Sequence, residues 1–339
     1  MKSQNLKKNR TPWSTSLTAL AVLVGFGPLA NATFPGRNGL IAFQADTGSG
    51  NQLYTVRSNG RDLRQITHLR GTSERPDWSP DGRQILFEHD TEDSANVAII
   101  NADGSGLVEI PAAPNGFEGA PTFTPDGRQI VFLRFDFVEF DNAIWSMNLD
   151  GSDRLRVIGP WPGDVGGIDF ASVSPDARTL TFVGSDGVLF GPAPSFEPAR
   201  ALFTCGINGG NLVQITPFAA DMAIKGDWSP DGRRLLSTDN ANFFHPGKAA
   251  NIFTIRPDGT DLHYLTHYQG GEVNAFVGSY SPDGRWIVFR LEDHGRYALY
   301  RMHSDGSHLQ PILDLSNFRP RAIDWGARSE QSGQDAGDE

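Results

Sequence analysis

Only one of the 339 residues is a cysteine, Cys205, so no internal disulfide can form. Stability must then come from a large core. An excess of positive charge is also missing: 29 Lys and Arg stand against 40 Asp and Glu, a net charge of −11. That balance argues against duplex nucleic acid or an anionic membrane surface as the partner. Long apolar runs are absent except from about Leu17 to Leu29, which is shorter than the roughly 20 residues a membrane span needs. This run follows Lys2, Lys7, Lys8 and Arg10 and ends in Ala30-Asn31-Ala32, the layout of a signal peptide over residues 1–32 cleaved near Ala32. The expected product is an exported protein, periplasmic or secreted, with no membrane span. No cysteine lies near the cleavage site to carry a lipid anchor. Losing the four basic residues of that segment from the 29 leaves 25 against 40, a net charge of −15.

Catalytic signatures are missing as well. The chain has no Gly-x-Ser-x-Gly elbow, no His-Glu-x-x-His, no EF-hand loop and no phosphate-cradling glycine loop. Its eight histidines are scattered without ligand spacing. Cys205 falls in a column otherwise filled by Val56, Ile100, Met147, Ile255 and Met302, which predicts a buried core thiol rather than a nucleophile.

What the chain does have is a repeat. Asp77-Trp78-Ser79-Pro80-Asp81-Gly82 has relatives at Thr124-Pro125-Asp126-Gly127, Ser174-Pro175-Asp176-Ala177, Ser229-Pro230-Asp231-Gly232 and Ser281-Pro282-Asp283-Gly284. Each copy follows an aromatic or β-branched residue and precedes an apolar triplet, so it reads as strand, tight turn, strand. Proline sets the first turn position, aspartate accepts local N–H groups and glycine permits the return, a structural role for all of these residues. Ala177 in place of glycine implies a different turn or local strain. In register with these turns, Leu53, Val97, Ile144, Leu202, Ile252 and Leu299 each start a strand that ends at an Asn-Gly or Asp-Gly hairpin. An apolar residue of a fourth strand follows: Ile66, Ile110, Val157, Ile215, Leu265 and Ile312. Six such units of four antiparallel strands, called A to D from the axis outward, predict an all-β, six-bladed β-propeller over residues 33–326. Leu40-Ile41-Ala42-Phe43 matches strand B with no strand A before it, and Arg321–Gly326 matches strand A with no blade after it. The C-terminal strand is therefore expected to complete the N-terminal blade and close the ring. Residues 327–339 read as a disordered acidic tail.

These repeats resemble the WD40-like (PD40) repeats of the TolB-like propellers, over roughly residues 37 to 326. TolB proper carries an α/β domain ahead of its propeller, whereas here the repeats begin a few residues past the Ala-x-Ala site, so the expectation is the propeller without that domain. The resemblance implies a monomeric protein- or peptide-binding scaffold in the periplasm or cell envelope, with an envelope protein as the kind of partner.

Loop lengths direct attention to one face. The A–B and C–D turns have constant spacing, while the B–C connections of blades 4 and 5 lengthen, and variable loops on a rigid ring are where binding usually resides. Candidate partner-binding residues there are Phe190, Phe196, Arg200, Phe243, Phe244, His245 and Lys248, joined by Phe135, Phe137 and Phe140 of blade 3. Glu74, Glu118 and Glu272, at the D–A loops, would give the channel mouth an acidic character and steer a basic segment toward it. The position before the aromatic column is polar in every blade: Asp77, Thr122, Ser172, Asp227, Ser279 and Asp324. It is expected to line the channel and hold water, with Ca²⁺ on Asp77, Asp227 and Asp324 as the one cofactor to consider. No catalytic residue is assigned. Two alternatives stay open: a channel-metal-dependent hydrolase, lactonase or lyase, and a module binding carbohydrate or another small ligand.

Overall fold

A computed structural model describes residues 35–46, 48, 50–159, 167–185, 199–218, 225–239, 247–316 and 318–329. The expected signal peptide and most of the expected tail lie outside the described residues. In chain order the strands are β1 (Asn38–Asp46), β2 (Asn51–Val56), β3 (Arg64–Gln65), β4 (Thr72–Trp78), β5 (Gln84–Asp90), β6 (Ala95–Asn101), β7 (Val108–Ile110), β8 (Gly116–Phe123), β9 (Gln129–Asp136), β10 (Asp141–Asn148), β11 (Leu155–Ile158), β12 (Gly167–Val173), β13 (Thr179–Ser185), β14 (Arg200–Gly206), β15 (Val213–Gln214), β16 (Asp227–Trp228), β17 (Leu235–Asp239), β18 (Asn251–Ile255), β19 (His263–Tyr264), β20 (Val273–Tyr280), β21 (Trp286–Asp293), β22 (Arg296–His303), β23 (Gln310–Asp314) and β24 (Arg321–Ala327). They form six four-stranded antiparallel sheets, five consecutive in sequence and one made of β24-β1-β2-β3. The last strand thus closes the first blade, with Trp325 opposite Ile41 and Asp324 opposite Ala42. Among the described residues no helix is long and apolar enough to cross a membrane.

The turn chemistry repeats in detail. Ser79 Oγ donates to Asp81 Oδ1 at 2.7 Å and accepts from the Gln84 N–H at 2.9 Å, while the Gly82 N–H donates to the Ser79 carbonyl at 2.9 Å. Ser174, Ser229, Ser281 and Thr124 do the same with Asp176, Asp231, Asp283 and Asp126. Ala177 keeps this turn rather than changing it: its N–H donates to the Ser174 carbonyl at 2.8 Å, at a φ of 56° that an L side chain strains to adopt.

Each blade packs its apolar face against the next, so the core is a ring of inter-blade clusters. Trp78 of blade 2 sits with Ala42 and Leu53 of blade 1, Phe123 of blade 3 with Leu86 and Val97 of blade 2, and Trp228 of blade 5 with Leu202 of blade 4. Cys205 is buried in the cluster joining blades 3 and 4, where burial pushes its thiol up to about 12. One register differs from expectation. A bulge between Ile144 and Trp145 shifts β11, so Ile158 rather than Val157 faces Ile144 and is buried.

Candidate functional site

The polar column of strand A serves first as a set of stitches between blades. Near the axis neighbouring blades come closest, and the N–H of each aromatic residue needs an acceptor. Asp324 Oδ2 accepts from Trp78 at 2.9 Å, Asp77 Oδ2 from Phe123 at 2.8 Å, Asp227 Oδ2 from Tyr280 at 2.9 Å and Ser279 Oγ from Trp325 at 2.9 Å. A second tier lies toward the variable face: Gln44 Oε1 accepts from Arg75 N–H at 2.7 Å, Glu88 Oε2 from Ala120 at 2.7 Å and Thr238 Oγ1 from Val277 at 2.9 Å.

Asp77, Asp227 and Asp324 share the channel with a lysine. Lys225 Nζ donates to the Ile323 carbonyl at 3.3 Å and stands 3.7 Å from Asp324 Oδ1. Burial opposes its charge, but Asp324, Asp227 and Asp77 outweigh that and hold its pKa above the ordinary value. Burial, followed by the like charge of Asp324, pushes the Asp77 carboxyl up to about 8. Among the described residues no three His, Cys, Asp or Glu side chains gather closely enough to hold a metal; the positive charge among these carboxylates is the ammonium of Lys225.

Above Lys225 the channel opens into a cavity of about 340 Å³ on the face carrying the D–A and B–C loops. Bulges shape it. Strand A is interrupted after Glu74, Gly119 and Asp169, and the residues there, Arg75, Ala120 and Phe170, have φ of 56°, 46° and 46°. The bulge in β4 places the Arg75 guanidinium where it reaches across to blade 4, 3.2 Å from Asp169 Oδ1, 3.6 Å from Glu88 Oε2 and 4.4 Å over the Phe170 ring. Burial works against this cation, but Asp169 and Glu88 prevail and keep it firmly charged.

Among the described residues, the charge of the mouth is the reverse of what the D–A loops suggested. Arg75, Arg200, Lys225, Arg290, Arg319 and Arg321 line it, against Glu74 and Asp169. Of the three glutamates expected there, Glu74 is present and accepts from Asn51 Nδ2 at 2.6 Å. Glu118 is wholly buried, held by Arg134 and Arg154 at 3.3 Å each, and has no surface to offer a partner. Glu272 lies away from the cavity, exposed and paired with His294 Nε2 at 2.7 Å.

On the same face, the B–C turn of blade 3 carries an apolar patch. Phe137, Val138 and Phe140 are 52%, 71% and 81% exposed. Phe135 is buried beneath them, stacked on Phe117 at 5.4 Å and met edge-on by Phe140 at 6.4 Å. Lys248 is exposed at blade 5. Phe190, Phe196, Phe243, Phe244 and His245 lie outside the described residues. Lys225 went unnoticed in the sequence, although it and Lys248 are the only lysines after residue 8 and it precedes Asp227 by two positions. So did a threonine after the strand D apolar residue: Thr67, Thr216 and Thr266 accept the N–H of Leu53, Leu202 and Ile252.

No protein-family model matches the chain. A stretch of 87 residues is 33% identical to an uncharacterised protein of Agrobacterium fabrum (strain C58), covering 26% of this chain and 27% of that one. Another of 50 residues is 44% identical to the Tol-Pal system protein TolB of Nitratidesulfovibrio vulgaris, covering 14% of this chain and 11% of the relative. These shared segments span about a quarter or less of the relatives' lengths. The crystal structure of TolB from Acinetobacter baumannii superposes with a TM-score of 0.67 at 18% identity, over 86% of this chain and 67% of that one, a likeness of fold. The chain thus has six closed blades in the propeller fold of the TolB structure and shares short sequence segments with TolB proteins.

Proposed function

We propose that this propeller is a binding scaffold, docking a protein or peptide partner across the channel mouth in the periplasm or cell envelope. The observation that carries the reading is the pairing of a concave, charged mouth with the exposed patch of Phe137, Val138 and Phe140 on the same face. Aromatic and arginine side chains together are the usual anchors of protein interfaces. The periplasmic setting is supported by the basic and apolar segment ending at Ala32 and by the segment shared with a Tol-Pal system protein. The channel carboxylates are engaged in inter-blade hydrogen bonds and with Lys225, which favours a rigid scaffold over a reactive centre.

The test is partner capture by purified Phe137→Ser/Phe140→Ser protein beside the wild type. Both side chains are exposed, so the double variant is expected to melt at the wild-type temperature and to lose capture at least tenfold. Undiminished capture by a correctly folded variant would contradict the proposed docking face.

A further inference from the structure

On the blade 6 and blade 1 side of the mouth, Arg290 is under-neutralised. Arg290 is 6% exposed. Its Nη1 donates to the Pro320 carbonyl at 3.0 Å, and its plane lies 3.9 Å over the Phe276 ring. Its nearest carboxylate, Glu292, stands 3.9 Å from Nη2 and is also engaged at 3.3 Å by Arg319. One carboxylate thus serves two guanidiniums. The buried Nε of Arg290 has no hydrogen-bond acceptor among the described residues, and the side chain borders the cavity. Arg321 and Arg200 line the same cavity and form no ion pair among the described residues. A buried guanidinium is stable only when paired and hydrogen-bonded. Consistent with this, burial and then the neighbouring Arg319 pull the pKa of Arg290 down to about 9.

We infer that the channel mouth is a carboxylate-binding site, in which Arg290 and Arg319, flanked by Arg200 and Arg321, receive an acidic side chain or the chain terminus of the docking partner. The inference rests on the binding reading above and gives it a chemistry. A carboxylate matches the planar fork of a guanidinium and brings the negative charge that Glu292 divides between two arginines. Against a chain whose net charge is −11, a local cluster of cations focuses the field on this opening and selects acidic segments over basic ones.

The experiment is titration calorimetry at low salt with three capped probes. Acetyl-tetraglutamate amide carries side-chain carboxylates only, acetyl-tetraalanine acid carries the terminal one only, and acetyl-tetraalanine amide carries none. Saturable binding by the first or second assigns the source of the carboxylate. Arg321→Gln and Arg200→Gln should each weaken that binding roughly tenfold, the worth of one charge-assisted hydrogen bond. Arg233→Gln, on the opposite face at an 84% exposed side chain, should leave it unchanged. Arg290→Lys, which keeps the charge and loses the fork, should weaken it as well. Binding no tighter than that of the neutral probe, or affinity unaltered in folded Arg321→Gln and Arg200→Gln, overturns the inference. If neither acidic probe binds while the Phe137/Phe140 variant still loses its partner, the carboxylate site falls and the scaffold stands. Acidic probes that bind with no partner depending on the aromatic patch give the converse.

Discussion

Replacing Lys225 by methionine removes the cation that Asp324, Asp227 and Asp77 hold charged in the channel. At 3.7 Å from Asp324, the attraction at an effective dielectric near 20 is about 4–5 kcal/mol. Relief of the lysine's own desolvation returns part of this, and the side chains of Lys225 and Asp324 keep 21% and 14% exposure. The net loss should therefore sit at the lower end for breaking a buried pair, about 3 kcal/mol at pH 8. The pH dependence follows from the carboxylates. Lys225 has a raised pKa, so its own contribution is fully present below the ordinary lysine value and constant through neutral pH. Asp77 is an acid raised to about 8; the unfolded chain ionises it near pH 4, so its burial lowers stability progressively as pH climbs from about 4 to 8. Without the ammonium that penalty deepens, whereas near pH 4 Asp77 is protonated and its share of the loss disappears, so the variant should lie closer to wild type there than at pH 8. Urea unfolding followed by tryptophan fluorescence, at pH 8 and pH 4, measures both losses. A loss equal at the two pH values, or no loss at pH 8, would refute the assignment of Lys225 as the channel's counter-charge.

Ala177→Gly should stabilise by about 1 kcal/mol, because the alanine holds a φ of 56° in a turn where Gly82, Gly127, Gly232 and Gly284 stand in the other copies; thermal melting checks the sign. Gly326→Ala should destabilise by about 1–3 kcal/mol, since its Cβ would lie 2.4 Å from Cγ of the buried Trp78 and force the blade 1–blade 2 contact apart. Its tryptophan emission should shift along with its lower melting temperature.

The blades were legible because their information is local. Proline, aspartate and glycine act within one turn, and the apolar columns repeat at fixed offsets from it, so even the pairing of β24 with β1 follows from counting strands. The polar strand A column was equally visible, but its use was not. Whether Asp77 meets water, a cation or the Phe123 N–H depends on the neighbouring blade, 46 residues away in sequence. The charge of the mouth was harder still. Arg200, Arg290, Arg319 and Arg321 converge from three separate stretches of chain, Arg75 is aimed by a bulge, and Glu118 is taken out of play by Arg134 of the adjacent strand. Counting acidic residues in D–A loops sees none of these long-range events.

Partners are proposed to dock on the face carrying the D–A and B–C loops. A photo-crosslinking amino acid placed at Phe140, at Arg321 and, on the opposite face, at Arg233 tests it in intact cells. A discrete crosslinked partner is expected from Phe140 and Arg321, and none from Arg233. Crosslinks from Arg233 alone, or from none of the three positions, would contradict it.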